Sequence, residues 1–105
     1  MEDNKDSNLP DISIVIPLYN EEESLRELQE AIKAALADQY TFEIIFVNDG
    51  SSDKSWDVIK ELSAQNKNVH GISFRNNHGK STALQAGFEK ASGTYVVTMD
   101  ADLQD

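Results

Sequence analysis

Apolar and polar positions along this chain form two kinds of segment, short runs rich in β-branched residues and longer stretches with helical spacing. The short runs cover residues 12–18, 42–47, 69–74 and 95–99, and a polar turn follows each of them. Near-continuous apolar runs of this length are typical of strands that are buried on both faces of a sheet. The pattern therefore predicts four strands.

Apolar residues recur at three- and four-residue intervals between the runs, which predicts three amphipathic helices. The apolar positions are Leu25, Leu28, Ile32 and Leu36 in the first helix, Trp56, Ile59 and Leu62 in the second, and Ala83, Leu84, Gly87, Phe88 and Ala91 in the third.

Polar residues, glycine and proline mark the predicted ends of these elements. Asn20 and Glu23 form a capping-box pattern at the start of the first helix, and residues 51–53 cap the second. Gly93 suits the position after the third helix. Pro17 cannot donate to a strand ladder, so we expect it at the end of the first strand.

The predicted order of elements is β-α-β-α-β-α-β. Because strand–helix–strand crossovers are right-handed, this order indicates an α/β fold, a Rossmann-like parallel sheet with helices on both faces. Residues 1–10 are polar and acidic without periodicity, which predicts a disordered tail before a domain at 11–105. No helix follows the fourth strand, so we expect the chain to be the N-terminal part of something longer.

Composition narrows the possible functions. The 105 residues include 19 acids against 9 Lys and Arg, and a formal charge of −10 argues against nucleic-acid binding through a basic face. A phosphate-bearing ligand would then need a helix N-terminus, a lysine or a metal. The chain has no cysteine, which excludes disulfides and thiolate sites. Without a signal peptide or an apolar run of about 20 residues, we expect a cytoplasmic protein.

Polar residues follow all four predicted strands. Since ligands of parallel sheets bind at the carboxyl ends of the strands, these residues indicate one site at one edge of the sheet. They are Tyr19, Asn20 and Glu21 after the first strand, Asn48, Asp49 and Gly50 after the second, Arg75, Asn76, Asn77, His78, Gly79 and Lys80 after the third, and Asp100 and Asp102 after the fourth.

Asp100 and Asp102 form the sharpest of these motifs. Two carboxylates separated by one residue, just past a strand, can present hard oxygen ligands to Mg²⁺ or Mn²⁺, which in turn bridges phosphate oxygens. A solvated acidic turn is the alternative that the motif alone leaves open.

Asp49 is consistent with ordinary turn chemistry or with an acid that accepts hydrogen bonds from a ribose or a base. Residues 79–82, Gly-Lys-Ser-Thr, invite comparison with a P-loop, but Phe74 stands where that motif requires a glycine. Gly79 and Lys80 at a helix N-terminus could still approach a diphosphate. An ordinary strand-to-helix turn with a solvated lysine is the alternative.

The remaining ionisable residues of these loops are weaker candidates. Glu22 and Glu23 suit the first turn of a helix, and only Glu21 lies close enough to the strand end to be a site residue. His70 and His78 have no partner at metal-ligand spacing, which favours surface or loop histidines.

Four ordered segments resemble family 2 glycosyltransferases, and most closely the dolichyl- or polyprenyl-phosphate sugar transferases. The segments are residues 14–22 (IVIPLYNEE), 45–53 (IFVNDGSSD), 75–80 (RNNHGK) and 99–105 (MDADLQD). The resemblance covers residues 12–105 and is far more specific for the family than for the substrate.

The resemblance implies the N-terminal, nucleotide-binding half of a GT-A fold. It also implies an inverting transfer from a UDP- or GDP-sugar, assisted by Mg²⁺ or Mn²⁺, with polyprenyl or dolichyl phosphate as the acceptor. The residues that match nucleotide-binding positions are Pro17, Tyr19, Glu21, Asp49, Gly79, Lys80 and Asp100, and those that match metal-binding positions are Asp100, Asp102 and Gln104.

The same resemblance places the acceptor half, any catalytic base and any membrane helices after Asp105. We therefore expect this chain to bind the donor without turnover, and the whole protein to act in cell-envelope biogenesis at the cytoplasmic face of a membrane. Apolar surface uncovered on the fourth strand predicts a homodimer of the fragment.

Three alternatives remain open at this point. Within the family, the protein could build a cell-surface polysaccharide or lipopolysaccharide. Outside it, the chain could be a nucleotide triphosphatase or a non-catalytic nucleotide-binding module.

Overall fold

The computed structural model describes residues 9–102 and contains the four strands and three helices that the sequence predicts. The elements are β1 (Ile12–Leu18), α1 (Leu25–Leu36), β2 (Phe42–Asp49), α2 (Ser55–Gln65), β3 (Val69–Phe74), α3 (Lys80–Lys90) and β4 (Tyr95–Thr98). Apart from Leu9 and Pro10, the predicted tail lies outside the described residues.

The strands form one parallel sheet in the order β3-β2-β1-β4, which confirms the predicted Rossmann-like α/β class. β1 pairs with β2 along its whole length, from Ile12 opposite Phe42 to Leu18 opposite Asn48. The two central strands are the ones with the longest apolar runs, as burial on both faces requires.

Helices cover both faces of the sheet, as predicted. Alternate residues of β1 and β2, such as Ile16 and Phe46, pack with Leu25 of α1 and Ile59 of α2. The opposite side chains, Val15, Ile45 and Val47, pack with Ala83 of α3. Each fully buried aliphatic side chain contributes about 1.5–3 kcal/mol, so these two layers supply most of the stabilisation.

The first helix begins later than the sequence predicts. α1 starts at Leu25 after Ser24, so the prediction that Asn20 caps it together with Glu23 is wrong. Asn20 has a φ of 54°, a left-handed conformation that asparagine tolerates better than most residues. Its side chain faces the loop between β2 and α2, where it binds backbone N–H groups.

Gly93 also differs from the prediction, because its φ is not positive and α3 ends with Ala91 in an extended conformation. The glycine is needed for a close approach to β1. A Cβ atom at this position would lie 2.7 Å from the backbone nitrogen of Ser13.

The second strand is two residues longer than predicted. Asn48 and Asp49 belong to β2 and are buried, because each still pairs with a residue of β3. Pro17 is the sixth of the seven residues of β1 and lies beyond Val15, the last residue of β1 that pairs with β4. No residue of β4 therefore needs a hydrogen bond from the N–H that proline lacks. This agrees with the position predicted for Pro17 at the end of the strand.

Candidate functional site

A cleft of about 460 Å³ opens at the carboxyl edge of the sheet, where the polar loops meet. Its lining includes every residue that the sequence analysis assigned to nucleotide binding, together with Asp102. The lining residues are Pro17, Leu18, Tyr19, Glu21, Asp49, Asn77, Gly79, Lys80, Asp100, Ala101 and Asp102. The structure thus brings the predicted residues together, while their individual roles stay predictions. Gln104 lies outside the described residues.

Asp49 organises the loop between β3 and α3. Its Oδ1 accepts the N–H of His78 at 2.7 Å, and its Oδ2 accepts the N–H of Gly79 at 3.0 Å. The side chain of Asn77 donates to the backbone oxygen of Asp49 at 3.2 Å. The buried carboxylate therefore holds Gly79 and Lys80 at the cleft. The turn motif predicts turn chemistry or contact with a ribose or base for Asp49, and neither includes this bond to a distant loop.

Gly50 allows this loop to lie against the end of β2. Its φ of +74° is accessible to glycine at little cost, and a Cβ atom would lie only 2.4 Å from the backbone carbon of Asn76. Asp49 and Gly50 together therefore require a tight contact between the loops that follow β2 and β3.

A second set of hydrogen bonds joins the loops that follow β1 and β2. The Oδ1 of Asn20 accepts the N–H groups of Ser52 at 2.8 Å and of Asp53 at 3.2 Å. The N–H of Glu21 donates to the hydroxyl of Ser55 at 3.0 Å. These bonds fix the backbone that carries Tyr19 and Glu21. The sequence contained a signal for this role, since Asn directly after a strand favours turns as well as caps.

Asp53 lies at the centre of this second set. Burial raises the pKa of its carboxyl, but hydrogen bonds from the hydroxyl and N–H of Ser55 and from the N–H of Glu22 outweigh that effect. The pKa of Asp53 is therefore held below its ordinary value, and the group is ionised at neutral pH.

Lys80 is the single basic residue among those that line the cleft. It is the first residue of α3, and its Nζ lies 3.2 Å from the Oδ1 of Asp100. Both side chains are largely exposed, at 67% and 75%, so neither is locked in this pair. Lys80 can therefore turn toward a phosphate that enters the cleft, where the N-terminus of α3 adds to the attraction.

The carboxylates of Asp100 and Asp102 fit a hard divalent cation. Mg²⁺ and Mn²⁺ commonly take one or two protein carboxylates and complete their shell with water and substrate phosphate. Within residues 9–102, no three acidic or histidine side chains are close enough to hold a metal by themselves. Two carboxylates suit a cation that is shared with a diphosphate.

A larger hollow of about 550 Å³ adjoins the cleft and shares Glu21 and Asp102 with it. Five carboxylates and no basic residue line it, which makes it repulsive to an anion. Its lining residues are Asn20, Glu21, Glu22, Glu23, Ser24, Asp53 and Asp102. The cleft with Lys80 is therefore the better candidate for a diphosphate.

Neither histidine lines the cleft, and one of them lies in a strand instead of the predicted loop or surface position. His78 packs the edge of its ring against Phe74, with 5.3 Å between ring centroids. His70 is a member of β3 rather than of a loop, and its Nε2 lies 3.3 Å from the Oε1 of Glu43, near the end of the sheet away from the cleft.

Within residues 9–102, none of the helices is both long and apolar enough to cross a bilayer.

Comparison with known proteins gives a family match over nearly the whole chain. A family model described as "Glycosyl transferase family 2" matches residues 13–105. The undecaprenyl-phosphate 4-deoxy-4-formamido-L-arabinose transferase of Pseudomonas fluorescens (strain SBW25) is 45% identical over 96 residues. That alignment covers 90% of this chain but 28% of the relative, so the chain spans less than a third of that protein.

Two solved structures have the same fold. The mannosyltransferase PcManGT from Pyrobaculum calidifontis, in complex with GDP-Man and Mn²⁺, aligns with a TM-score of 0.77 at 22% identity, over 92% of this chain and 29% of that one. The glucosyl-3-phosphoglycerate synthase of Mycobacterium tuberculosis, in complex with Mn²⁺, UDP and glucosyl-3-phosphoglycerate, aligns with a TM-score of 0.70 at 23% identity, over 95% and 36%. The architecture is thus the GT-A type that the sequence predicts.

Proposed function

Because the chain belongs to glycosyl transferase family 2, we propose that it is the donor-binding part of an inverting transferase. The whole protein moves a sugar from a nucleoside diphosphate to a polyprenyl phosphate, with Mg²⁺ or Mn²⁺ as the cofactor. The acceptor is favoured by the undecaprenyl-phosphate relative, with which the chain shares 45% of aligned residues.

The observation that carries the proposal is the convergence of eight candidate residues in one cleft. They come from the ends of β1, β2 and β4 and from the start of α3. Ligands of open parallel sheets bind at this edge, and a 460 Å³ cleft lies within the size range of small-molecule sites.

Each residue has a defined part in this proposal. Pro17, Tyr19 and Glu21 border the nucleoside, and Asp49 contacts the base while it holds the loop of Gly79. Asp100 and Asp102 would hold the cation, and Gln104 would be a third ligand. When bound, the cation neutralises negative charge on the diphosphate leaving group. Lys80 binds a phosphate oxygen and adds a second positive charge.

In the proposed reaction, an acceptor phosphate oxygen bonds to the anomeric carbon as the bond to the diphosphate breaks. Attack from the opposite face inverts the anomeric configuration. A phosphate acceptor is already anionic and needs little help from a general base, unlike a sugar hydroxyl. We place the acceptor site, and attachment to the cytoplasmic face of the membrane, in the remainder of the protein.

The other candidate functions have less support. Phe74 is the last residue of β3, where a P-loop would need glycine, which disfavours a nucleotide triphosphatase. Synthesis of a cell-surface polysaccharide is the remaining alternative within the family, and the acceptor assay below distinguishes it.

A calorimetric titration of this chain tests donor binding. UDP or GDP should bind in the presence of Mn²⁺, and Asp102→Asn should weaken that binding at least tenfold, about 1.4 kcal/mol. Asp57→Asn, on the exposed face of α2, is the matched control and should bind like the wild type. Binding of ATP without metal, lost in Lys80→Met, would contradict the proposal.

A transfer assay on the full-length protein tests the reaction. We expect sugar transfer from a UDP- or GDP-sugar to polyprenyl phosphate, with inversion visible in the anomeric NMR coupling. The 105-residue chain by itself should give no product. Transfer to a glycan hydroxyl but not to a lipid phosphate would establish the polysaccharide alternative instead.

A further inference from the structure

A buried carboxylate lies at the other end of β2, away from the cleft. Glu43 is the second residue of the strand, whereas Asp49, which lines the cleft, is the last. The Glu43 residue is 7% exposed, and the proposed function assigns it no role. Burying an ionised group is costly unless hydrogen bonds compensate, so its partners indicate what it does.

One oxygen of Glu43 accepts three hydrogen bonds. The Oε2 atom accepts the hydroxyl of Ser13 at 2.6 Å, the N–H of Ser92 at 2.8 Å and the hydroxyl of Ser92 at 3.0 Å. The same Ser13 hydroxyl oxygen accepts the N–H of Gly93 at 2.7 Å. Glu43 thereby ties β1 to the short connection that leads from α3 into β4.

β4 has few other contacts to hold it. The strand has four residues, which pair with β1 from Tyr95 opposite Ile12 to Thr98 opposite Val15, and all four are exposed. Within residues 9–102 it is an edge strand with little apolar burial, and such strands are prone to slip in register. The hydrogen bonds at Ser92 and Gly93 immediately precede the strand. They add a side-chain constraint to the backbone bonds that Thr94 and Tyr95 donate to Pro10 and Asp11.

The register of β4 determines where Asp100 and Asp102 lie. The N–H of Met99 donates to the oxygen of Val15 at 3.1 Å, and Asp100 follows directly. A slip of one residue would move the carboxylate by about 3.3 Å and reverse the face of each side chain. A cation site that needs both carboxylates would not survive such a change.

We propose that Glu43 is a positioning residue for the cation site. It sets the register of β4 on β1 by holding Ser92 directly, and Gly93 through the hydroxyl of Ser13, at the end of the strands opposite the cleft. The link to the cation rests on the proposed function, whereas the link to β4 stands on the hydrogen bonds alone. The two links are therefore tested by separate measurements.

Amide hydrogen exchange on the whole chain tests the link to β4. Glu43→Gln keeps the shape but removes the charge, and Ser92→Ala removes one donor if the first variant folds poorly. The amides of Tyr95 and Met99, which bond to Asp11 and Val15, should exchange at least about tenfold faster, whereas those in the centre of β1 and β2 should change less.

Glu89→Gln, near the exposed end of α3, is the matched control and should leave all these rates unchanged. Equal acceleration throughout the sheet would show that Glu43 only stabilises the fold and would overturn the proposal. Unchanged exchange in β4 would overturn it as well.

Titration with Mn²⁺ and UDP or GDP tests the second link. Glu43→Gln should weaken Mn²⁺ binding several-fold although Glu43 cannot contact the cation, and Ser92→Ala should weaken it less. Full Mn²⁺ affinity despite loosened β4 amides would overturn the link to the cation. Absence of Mn²⁺ binding in the wild type would instead contradict the proposed function and leave the exchange result standing.

Discussion

Gly50 and Gly79 show how single residues shape the cleft. Both have positive φ, +74° and +99°, but only Gly50 has neighbours that a side chain would meet. The backbone of Asn76 and Asn77 lies within 3 Å of the position of its Cβ, whereas nothing lies within 4 Å of that of Gly79. Steric and conformational costs can therefore be separated at two glycines of one site.

Gly50→Ala should destabilise the chain by about 2–5 kcal/mol, because a left-handed alanine costs about 1–2 kcal/mol and the backbone clash adds about 1–3. Gly79, at φ 99° and ψ 161°, lies in a region that essentially only glycine adopts, so Gly79→Ala should cost about 1–3 kcal/mol for the conformation without any clash. Urea unfolding of both variants measures the difference in free energy of unfolding. A cost of no more than about 1–2 kcal/mol for Gly50→Ala would show that the loop after β3 moves away at no cost.

Lys80 presents a second case at this scale, because its contact with Asp100 occupies one of the two cation ligands. Lys80→Met should weaken binding of a nucleoside diphosphate about tenfold, since a charge-assisted hydrogen bond is lost. In the absence of nucleotide it should strengthen Mn²⁺ binding slightly. Calorimetry measures both, with Lys90→Met at the far end of α3 as the control. If Lys80→Met weakened the binding of Mn²⁺ as well as that of the nucleoside diphosphate, Lys80 would not compete with the cation for Asp100.

At the scale of elements, the strands and the core-facing helix positions could be predicted because their periodicity is local. The residues of β1 and β3 agree with the prediction, and Leu25, Leu28 and Ile32 face the core. The start of α1 and the C-terminal end of β2 could not be predicted, because they depend on contacts with residues that are distant in sequence. Asn20 binds Ser52 and Asp53 instead of capping its own helix, and no local pattern contains that partner.

The same distinction applies to the site. Parallel topology brings strand ends together, so most residues of the cleft could be predicted from the order of elements, whereas Pro17 came only from the family resemblance. Six other residues predicted at this edge do not line the cleft: Asn20, Asn48, Gly50, Arg75, Asn76 and His78. The hydrogen bonds that position the site could not be predicted in this way. Asp49 binds backbone groups 29 and 30 residues away, and Glu43 binds a serine 49 residues away. Such pairs become visible only once the register of the sheet is known.

Glu43 also makes the stability of the sheet depend on pH. Burial raises the pKa of its carboxyl, but hydrogen bonds from Ser13 and Ser92 and the nearby His70 outweigh burial, so the pKa lies below its ordinary value. A carboxyl whose pKa falls on folding stabilises the protein above its unfolded pKa, about 4, and this stabilisation is lost as pH falls through the folded pKa.

We therefore expect the free energy of unfolding to differ most between wild type and Glu43→Gln above about pH 5, and the difference to shrink below about pH 4. Urea unfolding at a series of pH values measures it, and Glu89→Gln should show no such trend. A difference that stays constant down to pH 3 would contradict the role of the ionised carboxylate.

At the scale of the whole molecule, the sheet that residues 9–102 form is open and apolar along β4. Tyr95, Val96 and Val97 of β4 are 69%, 44% and 43% exposed, and Phe88 on α3 is 48% exposed. Neither face of β4 is covered by a helix within the part of the chain that the structure describes. The 105-residue chain by itself should therefore associate through this edge, despite its charge of −10.

Sedimentation of the chain at rising concentration tests this association. The wild type should form dimers at high protein concentration, and Val97→Lys should remain monomeric because a charge on an edge strand opposes pairing. Tyr40→Lys, which removes a similarly exposed apolar side chain that is not part of β4, should dimerise like the wild type. A monomeric wild type at all concentrations would contradict the prediction.

The two carboxylates of β2 have a joint consequence for the length of α3. Asp49 binds the residues just before the helix, and Glu43 binds Ser92 just after it. Six strand steps from Glu43 to Asp49 span about 20 Å at about 3.3 Å each. The ten helical steps of α3 span about 15 Å at about 1.5 Å each, and the non-helical residues at its two ends extend that reach to His78 and Ser92. The spacing of the two carboxylates on β2 therefore fixes the length of α3. After a one-residue insertion or deletion in α3, the hydrogen bonds of one carboxylate could form only if those of the other were broken.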